Sequence, residues 1–236
     1  MPGYLLKDES VRVAGVAALD IRSLLDRQQY ADPLGEAAAL GISSGNWPLF
    51  GLVWPSSLQL AAVMAGRPVR TGERILEIGC GLALASLVSH RRGADVTASD
   101  CHPLAGAFLR ENLRRNELLP LPYCHGDWGA AAELPGDAVS PHGPRVRGLF
   151  ELIIGSDVLY ERDDSGILAG FIDRHAASVG EVLIVDPDRG NRAAFTRRMA
   201  ASGYELVETR LSRLADASLA AYKGRLLHYS RGALPS

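Results

Sequence analysis

From about residue 74 onward, apolar runs of four to six residues alternate with amphipathic stretches of ten or more. The pattern predicts strands over 74–78, 95–99, 121–124, 151–156 and 182–186. It predicts helices over 82–91, 103–115, 165–177 and 192–202, the last stopped by Gly203. Strands apolar along nearly their whole length are covered on both faces, and helices between them imply right-handed crossovers and a parallel sheet. Segments 204–211 and 225–230 read as two further strands forming a closing hairpin. Before residue 70 the pattern is irregular. Aromatics and prolines cluster over 46–55, and a helix follows over 56–65, with Pro55 at its first position, Gly66 as its cap and Pro68 as its stop. Residues 134–148 are rich in Pro and Gly and read as a surface loop. The expected fold class is α/β: a doubly wound, mostly parallel seven-stranded sheet with an N-terminal helical extension. Residues 1–70 would pack on the core as an extension, and 71–236 would form the ligand-binding domain.

With 236 residues, 47% apolar and 22% charged, the chain can bury one sizeable core. Its 25 basic and 27 acidic side chains leave a net charge of −2. That is not the one-signed footprint of a nucleic-acid or membrane-surface binder, so neither partner is expected. The three cysteines, Cys80, Cys101 and Cys124, are odd in number with no close pair, which suits a reducing, cytoplasmic setting. Residues 1–10 carry Lys7, Asp8 and Glu9 without the apolar core of a secretory signal. Two Cys-His doublets, Cys101-His102 and Cys124-His125, lack metal-ligand spacing, so no metal is expected. No Gly-x-Ser-x-Gly elbow is present to support hydrolase chemistry.

The most informative segment is Glu77-Ile78-Gly79-Cys80-Gly81-Leu82-Ala83, with two glycines where the first core strand turns into a helix. Glycines there allow a tight turn and let a ligand lie against backbone N–H groups at a helix N-terminus. Asp100, 21 residues after Gly79, ends the second strand, where a carboxylate can bind ribose hydroxyls. A dinucleotide fingerprint would place a third glycine at Leu84 and no carboxylate beside the pyrophosphate. S-adenosylmethionine carries a sulfonium and an ammonium instead, so Glu77 beside the turn favours that cofactor.

Glu77-Ile78-Gly79-Cys80-Gly81, Asp100, Asp127-Trp128 and Asp157-Val158-Leu159-Tyr160, in that order, resemble the successive motifs of seven-strand S-adenosylmethionine-dependent methyltransferases. The Asp-x-x-Tyr is similar to the protein-lysine branch. Trp54-Pro55 and Asp186-Pro187-Asp188-Arg189 are similar to the electron-transfer-flavoprotein β-subunit lysine methyltransferase group. The resemblance covers residues 47–210 and implies a protein substrate with a lysine acceptor; a small molecule or a His or Arg side chain as acceptor, and a non-catalytic cofactor-binding module, are the alternatives. It implies Glu77, Gly79 and Gly81 around the methionine moiety, Asp100 on the ribose, and Asp127 with Trp128 beside the adenine. Ser156 would contribute to the cofactor site and Trp54 would close over it, with Asp157 and Tyr160 as catalytic residues. Arg189 would face an acidic substrate surface. One departure stands out: the usual third small residue, often glycine, is Ala83, and weaker constraint on the turn is expected.

Overall fold

The computed structural model describes residues 3–129, 143–159, 165–188, 190–213 and 221–232. The chain opens with a hairpin of β1 (Leu6–Val11) and β2 (Leu19–Leu24), followed by a short helix α1 (Glu36–Ala39) and a 3₁₀ turn (Trp47–Gly51). Helix α2 (Pro55–Gly66) leads into the sheet. The sheet is built by β3 (Arg74–Ile78), α3 (Leu84–Arg91), β4 (Asp95–Asp100), α4 (Ala105–Arg115), β5 (Tyr123–His125), β6 (Phe150–Ser156), α5 (Ile167–His175), β7 (Ala176–Asp186), α6 (Arg192–Ala201), β8 (Glu205–Arg213) and β9 (Tyr222–Arg231).

The seven strands run in the order β5-β4-β3-β6-β7-β9-β8. The first five are parallel, while β9 inserts antiparallel between β7 and β8. Two apolar layers flank the sheet. One joins α2, α3, α4 and the hairpin through Leu60, Leu84, Leu109 and Ile21, and the other joins α5 and α6 through Ile172 and Met199. Strands β3 and β6 are buried along nearly their whole length, as their apolar runs predict.

The N-terminal extension differs from the helical one expected. Leu19, Ile21 and Ser23 of β2 are fully buried and alternate with the more exposed Asp20 and Arg22, a period-two pattern that ends in the buried Leu24. Its partner β1 is charged instead, and the two strands are tied by the Asp8–Arg22 pair at 2.9 Å. Side chains of α4 complete the backbone of β2: Asn112 accepts the Arg22 N–H at 2.8 Å and Asn116 accepts that of Asp20 at 3.0 Å. The uncharged stretch Trp47–Gly66 is split into the 3₁₀ turn and α2, and Trp47, Leu60, Ala61 and Met64 pack inside the protein.

At the end of the sheet away from the glycine turn, a buried ionic knot joins α2 to β7 and β9. Arg67 pairs with Glu73 and with Glu181 at 2.5 Å, Arg70 reaches Glu181 at 2.8 Å, and His228 meets Glu181 at 2.8 Å. These partners hold the Glu181 carboxyl down to about 2, the His228 hydrogen bond contributing most.

Candidate active site

Of the residues singled out in the sequence, Glu77, Gly79, Gly81, Asp100, Ser156 and Asp157 lie at or just past the carboxyl ends of β3, β4 and β6, where ligand crevices of such sheets lie. Gly79 and Gly81, at the end of β3, both have positive φ, 57° and 52°. A Cβ on Gly79 would come 3.0 Å from Val158 and 3.5 Å from the Trp128 ring; one on Gly81 would come 2.9 Å from the Phe50 carbonyl oxygen. The two glycines therefore bring three separate chain segments against one turn. Ala83, the N-cap of α3, is also left-handed, at φ 57° and ψ 39°. The turn thus keeps the conformation that a third glycine would give, at the cost of a methyl group in a disfavoured region.

Glu77 lies beneath the turn, 1% exposed. Its Oε2 accepts the Ser86 backbone N–H at 2.8 Å and the Ser86 hydroxyl at 2.5 Å. Burial pushes its carboxyl up to about 7 against the opposing pull of Ser86, and the nearby Asp100 raises it further. The carboxylate expected around the methionine moiety thus braces the first turn of α3.

Asp100, at the end of β4, has both oxygens engaged. Oδ2 accepts the Gly81 N–H and Oδ1 the His102 N–H, each at 2.8 Å. Burial raises its pKa, and backbone donors from His102, Gly81 and Cys101 oppose that rise. A carboxylate has about four lone-pair sites, so Asp100 retains acceptor capacity for ribose hydroxyls while fixing the turn. The neighbouring His102 is buried, stacked on Phe50 with ring centres 3.6 Å apart, and its Nδ1 accepts the Leu104 N–H at 3.2 Å.

After β5, the exposed Asp127 closes a local turn by accepting the Gly129 N–H at 3.0 Å. Trp128 is half-buried against Gly79, and its indole N–H, although buried, has no acceptor among the described residues. At the end of β6 Ser156 is half-buried, and just past it Asp157 adopts φ 57°, rare for a residue with a side chain and concentrated at functional sites. The Asp157 N–H donates to Val185 at 2.8 Å. Val158 and Leu159 are buried, Asn191 at the start of α6 donates to the Leu159 carbonyl at 2.9 Å, and Val158 meets Gly79, so the Asp157 loop is tied to α6 and lies against the glycine turn. Tyr160 and Arg189 lie outside the described residues.

At the end of β7, the Asp186 carboxylate accepts the Asp188 N–H at 3.1 Å, while Asp188 pairs with Arg192 at 2.6 Å and Arg225 at 2.8 Å. Trp54 sits before α2, donating its indole N–H to Leu49 at 2.7 Å, with the Arg27 guanidinium 4.7 Å from its ring centre. Two participants carried no signal in the sequence. The Tyr222 hydroxyl lies 3.1 Å from Ser56 Oγ, joining β9 to the start of α2, and Ser86 holds Glu77. Both partnerships are long-range or cross between elements, and neither leaves a local motif.

These residues fit an adenosyl sulfonium ligand. The side-chain-free surface at Gly79 faces an indole, an acid stands where a ribose would lie, and no basic side chain of the described turn calls for a pyrophosphate.

No family model matches the chain. Among curated proteins, it is 30% identical over 145 residues to the electron transfer flavoprotein beta subunit lysine methyltransferase of Xenopus laevis, a match covering 60% of this chain and 53% of the relative. It is 26% identical over 124 residues to the protein N-lysine methyltransferase METTL21A of Danio rerio, covering 50% and 52%. The chain spans about half the length of these curated relatives. The magnesium protoporphyrin IX methyltransferase of Synechocystis PCC 6803, solved with bound S-adenosylmethionine, superposes with a TM-score of 0.57. It is 15% identical, and the match covers 86% of this chain and all of that one. The chain has the class I, Rossmann-like methyltransferase fold, and its sequence is similar to protein-lysine methyltransferases.

Proposed function

We propose that the chain is an S-adenosylmethionine-dependent N-methyltransferase acting on a lysine side chain of a protein, working in the reducing cytoplasm. The observation that carries this reading is the seating of the Asp157 loop on the glycine turn through Val158 and Gly79. An acid thereby stands beside the cradle where a cofactor's reactive end would lie. Similarity to two lysine methyltransferases supports the acceptor, and an odd number of cysteines with no close pair in sequence supports the compartment.

The bound cofactor would supply an electrophilic methyl group on a sulfonium. The chain must then hold an amine in line with it, and fixed geometry can account for much of the acceleration. A lysine amine, with a free pKa near 10.4, is mostly protonated at neutral pH and must lose a proton first. Asp157, held in one conformation by its strained backbone and the Val185 hydrogen bond, would orient the ammonium and accept that proton directly or through water. Asp100 would bind the ribose hydroxyls, the Gly79 turn and Trp128 would seat the rest of the adenosyl group, and Tyr160 would stand beside the acceptor.

The test is transfer of label from tritiated S-adenosylmethionine into a cell extract by the purified protein. Protein-bound label released as methylated lysine on hydrolysis is the expected result. Label found only in small molecules would overturn the reading. Asp157→Ala should abolish transfer and leave cofactor affinity within a few-fold. Asp100→Ala should weaken cofactor binding by about ten- to a hundred-fold, the worth of hydrogen bonds to a charged group.

A further inference from the structure

We propose that the cleft between the N-terminal hairpin and the start of α2 is where the acceptor protein docks, and that Arg27 there reads an acidic residue flanking the target lysine. The inference rests on the protein-lysine reading above and says where on the surface its selectivity is set.

The cleft measures about 500 Å³, with an apolar floor that includes Leu25, Leu52, Trp54 and Leu58. It adjoins the edge that carries Asp157. Trp54 and Pro55 line it, the next residue, Ser56, touches the Tyr222 hydroxyl, and Tyr222 is the ladder partner of Arg213, which closes the far wall. A chain lying in the cleft therefore runs beside the strand ends that carry the reacting groups.

Two independent features define what would lie there. First, Arg27 is exposed and spread over the Trp54 ring, and among the described residues no carboxylate pairs with it. The acids beside it are already satisfied. Asp26 accepts the Gln28 N–H at 2.8 Å and the Gln29 amide at 3.1 Å, and Glu9 meets Lys7 at 3.1 Å and the Ser23 hydroxyl at 3.0 Å. A guanidinium stacked on an aromatic face keeps its in-plane N–H donors for a carboxylate. Second, an apolar strip leads from the cleft along the hairpin. Leu25 is 42% exposed and Leu5 61%, and the Leu25 N–H donates to the Leu5 carbonyl at 3.0 Å, so the two are neighbours. Exposed leucines that continue from the cleft floor at Leu25 onto the open surface at Leu5 suit a protein partner better than a metabolite. The occupant that matches both is an extended polypeptide with apolar residues and a carboxylate close to its lysine.

The experiment uses two pools of synthetic peptides centred on one lysine, one with Asp or Glu at the flanking positions and the other with Arg, together with tritiated S-adenosylmethionine. The wild-type chain should use the acidic pool with a kcat/KM about fivefold higher, the size expected of one exposed charge pair. Arg27→Glu should erase or reverse that preference, Arg27→Lys should retain part of it, and neither should move cofactor affinity in calorimetry. Leu25→Asp should lower transfer to both pools. Equal use of the pools by the wild type overturns the proposal, as does a preference that survives Arg27→Glu. So does transfer to neither pool by a preparation that labels proteins in extract. Label in no protein at all is a different result, and it sinks the lysine reading itself.

Discussion

Replacing Glu77 by Gln isolates the energetics of a carboxyl group sealed under the glycine turn. Burial lifts this group from its ordinary 4.5 to about 7, and at about 1.36 kcal/mol per pH unit the difference is on the order of 3 kcal/mol. Because the folded-state pKa is the raised one, the folded chain holds the proton to higher pH than the unfolded chain. Stability from this group is therefore full below about 4.5, falls as pH rises toward 7, and is level above that. Glu111, held down to about 2 chiefly by Arg114, and Glu181, held down to about 2 by its hydrogen bonds to His228 and Arg67, contribute below this window and with the opposite sign. His175, lowered chiefly by burial, acts with the opposite sign nearer neutrality, but it is present in both proteins and cancels in the comparison. Gln keeps an oxygen for the Ser86 donors and carries no charge. Urea denaturation of wild type and Glu77→Gln at pH 5 and pH 8 should give midpoints that nearly coincide at the lower pH. At the higher pH the variant should be more stable by up to about 3 kcal/mol. Curves that stay parallel across the range, or a variant weaker at pH 8, would refute the assignment of a strained, buried acid.

Other outcomes follow from the same turn. Ala83→Gly relieves a left-handed alanine but removes a buried methyl and loosens the unfolded chain, so its stability should fall within about 1 kcal/mol of wild type. Ala83→Val, adding a branched side chain to the same backbone, should cost at least about 2 kcal/mol by thermal melting. Gly81→Ala places a methyl 2.9 Å from the Phe50 carbonyl at a positive φ. It should lower the melting temperature and weaken cofactor binding together, and an unchanged affinity would detach the 3₁₀ turn from the site.

Much of the fold and of the candidate site was legible in the chain because its signals are local. A strand, two glycines and a helix N-terminus occupy one short segment, Asp157 follows the apolar run of β6, and Asp100 ends a short strand at a fixed distance from the glycines. Where the determinants are distant in sequence, the pattern misleads. Strand β1 carries no strand signal, and the segment before residue 70 reads only as irregular, because Asp8 is satisfied by Arg22 across the hairpin and by Arg115 of α4 at 3.0 Å, not by apolar burial. Helix α5 ends at His175 although two alanines follow, because Ala176 is already taken up by the sheet opposite Phe150. Strand β9 begins three residues before the predicted start, at Tyr222, whose hydroxyl partner lies 166 residues earlier.

The insertion of β9 between β7 and β8 has a consequence for synthesis. On the ribosome β8 emerges first, yet it has no edge to join until β9 has followed it out of the exit tunnel. Until then the nascent chain leaves the apolar run Val182–Val185 along a bare strand edge, an invitation to aggregate that only the final strand withdraws. A premature stop anywhere between residues 187 and 221 should therefore give an insoluble product rather than a merely less stable one.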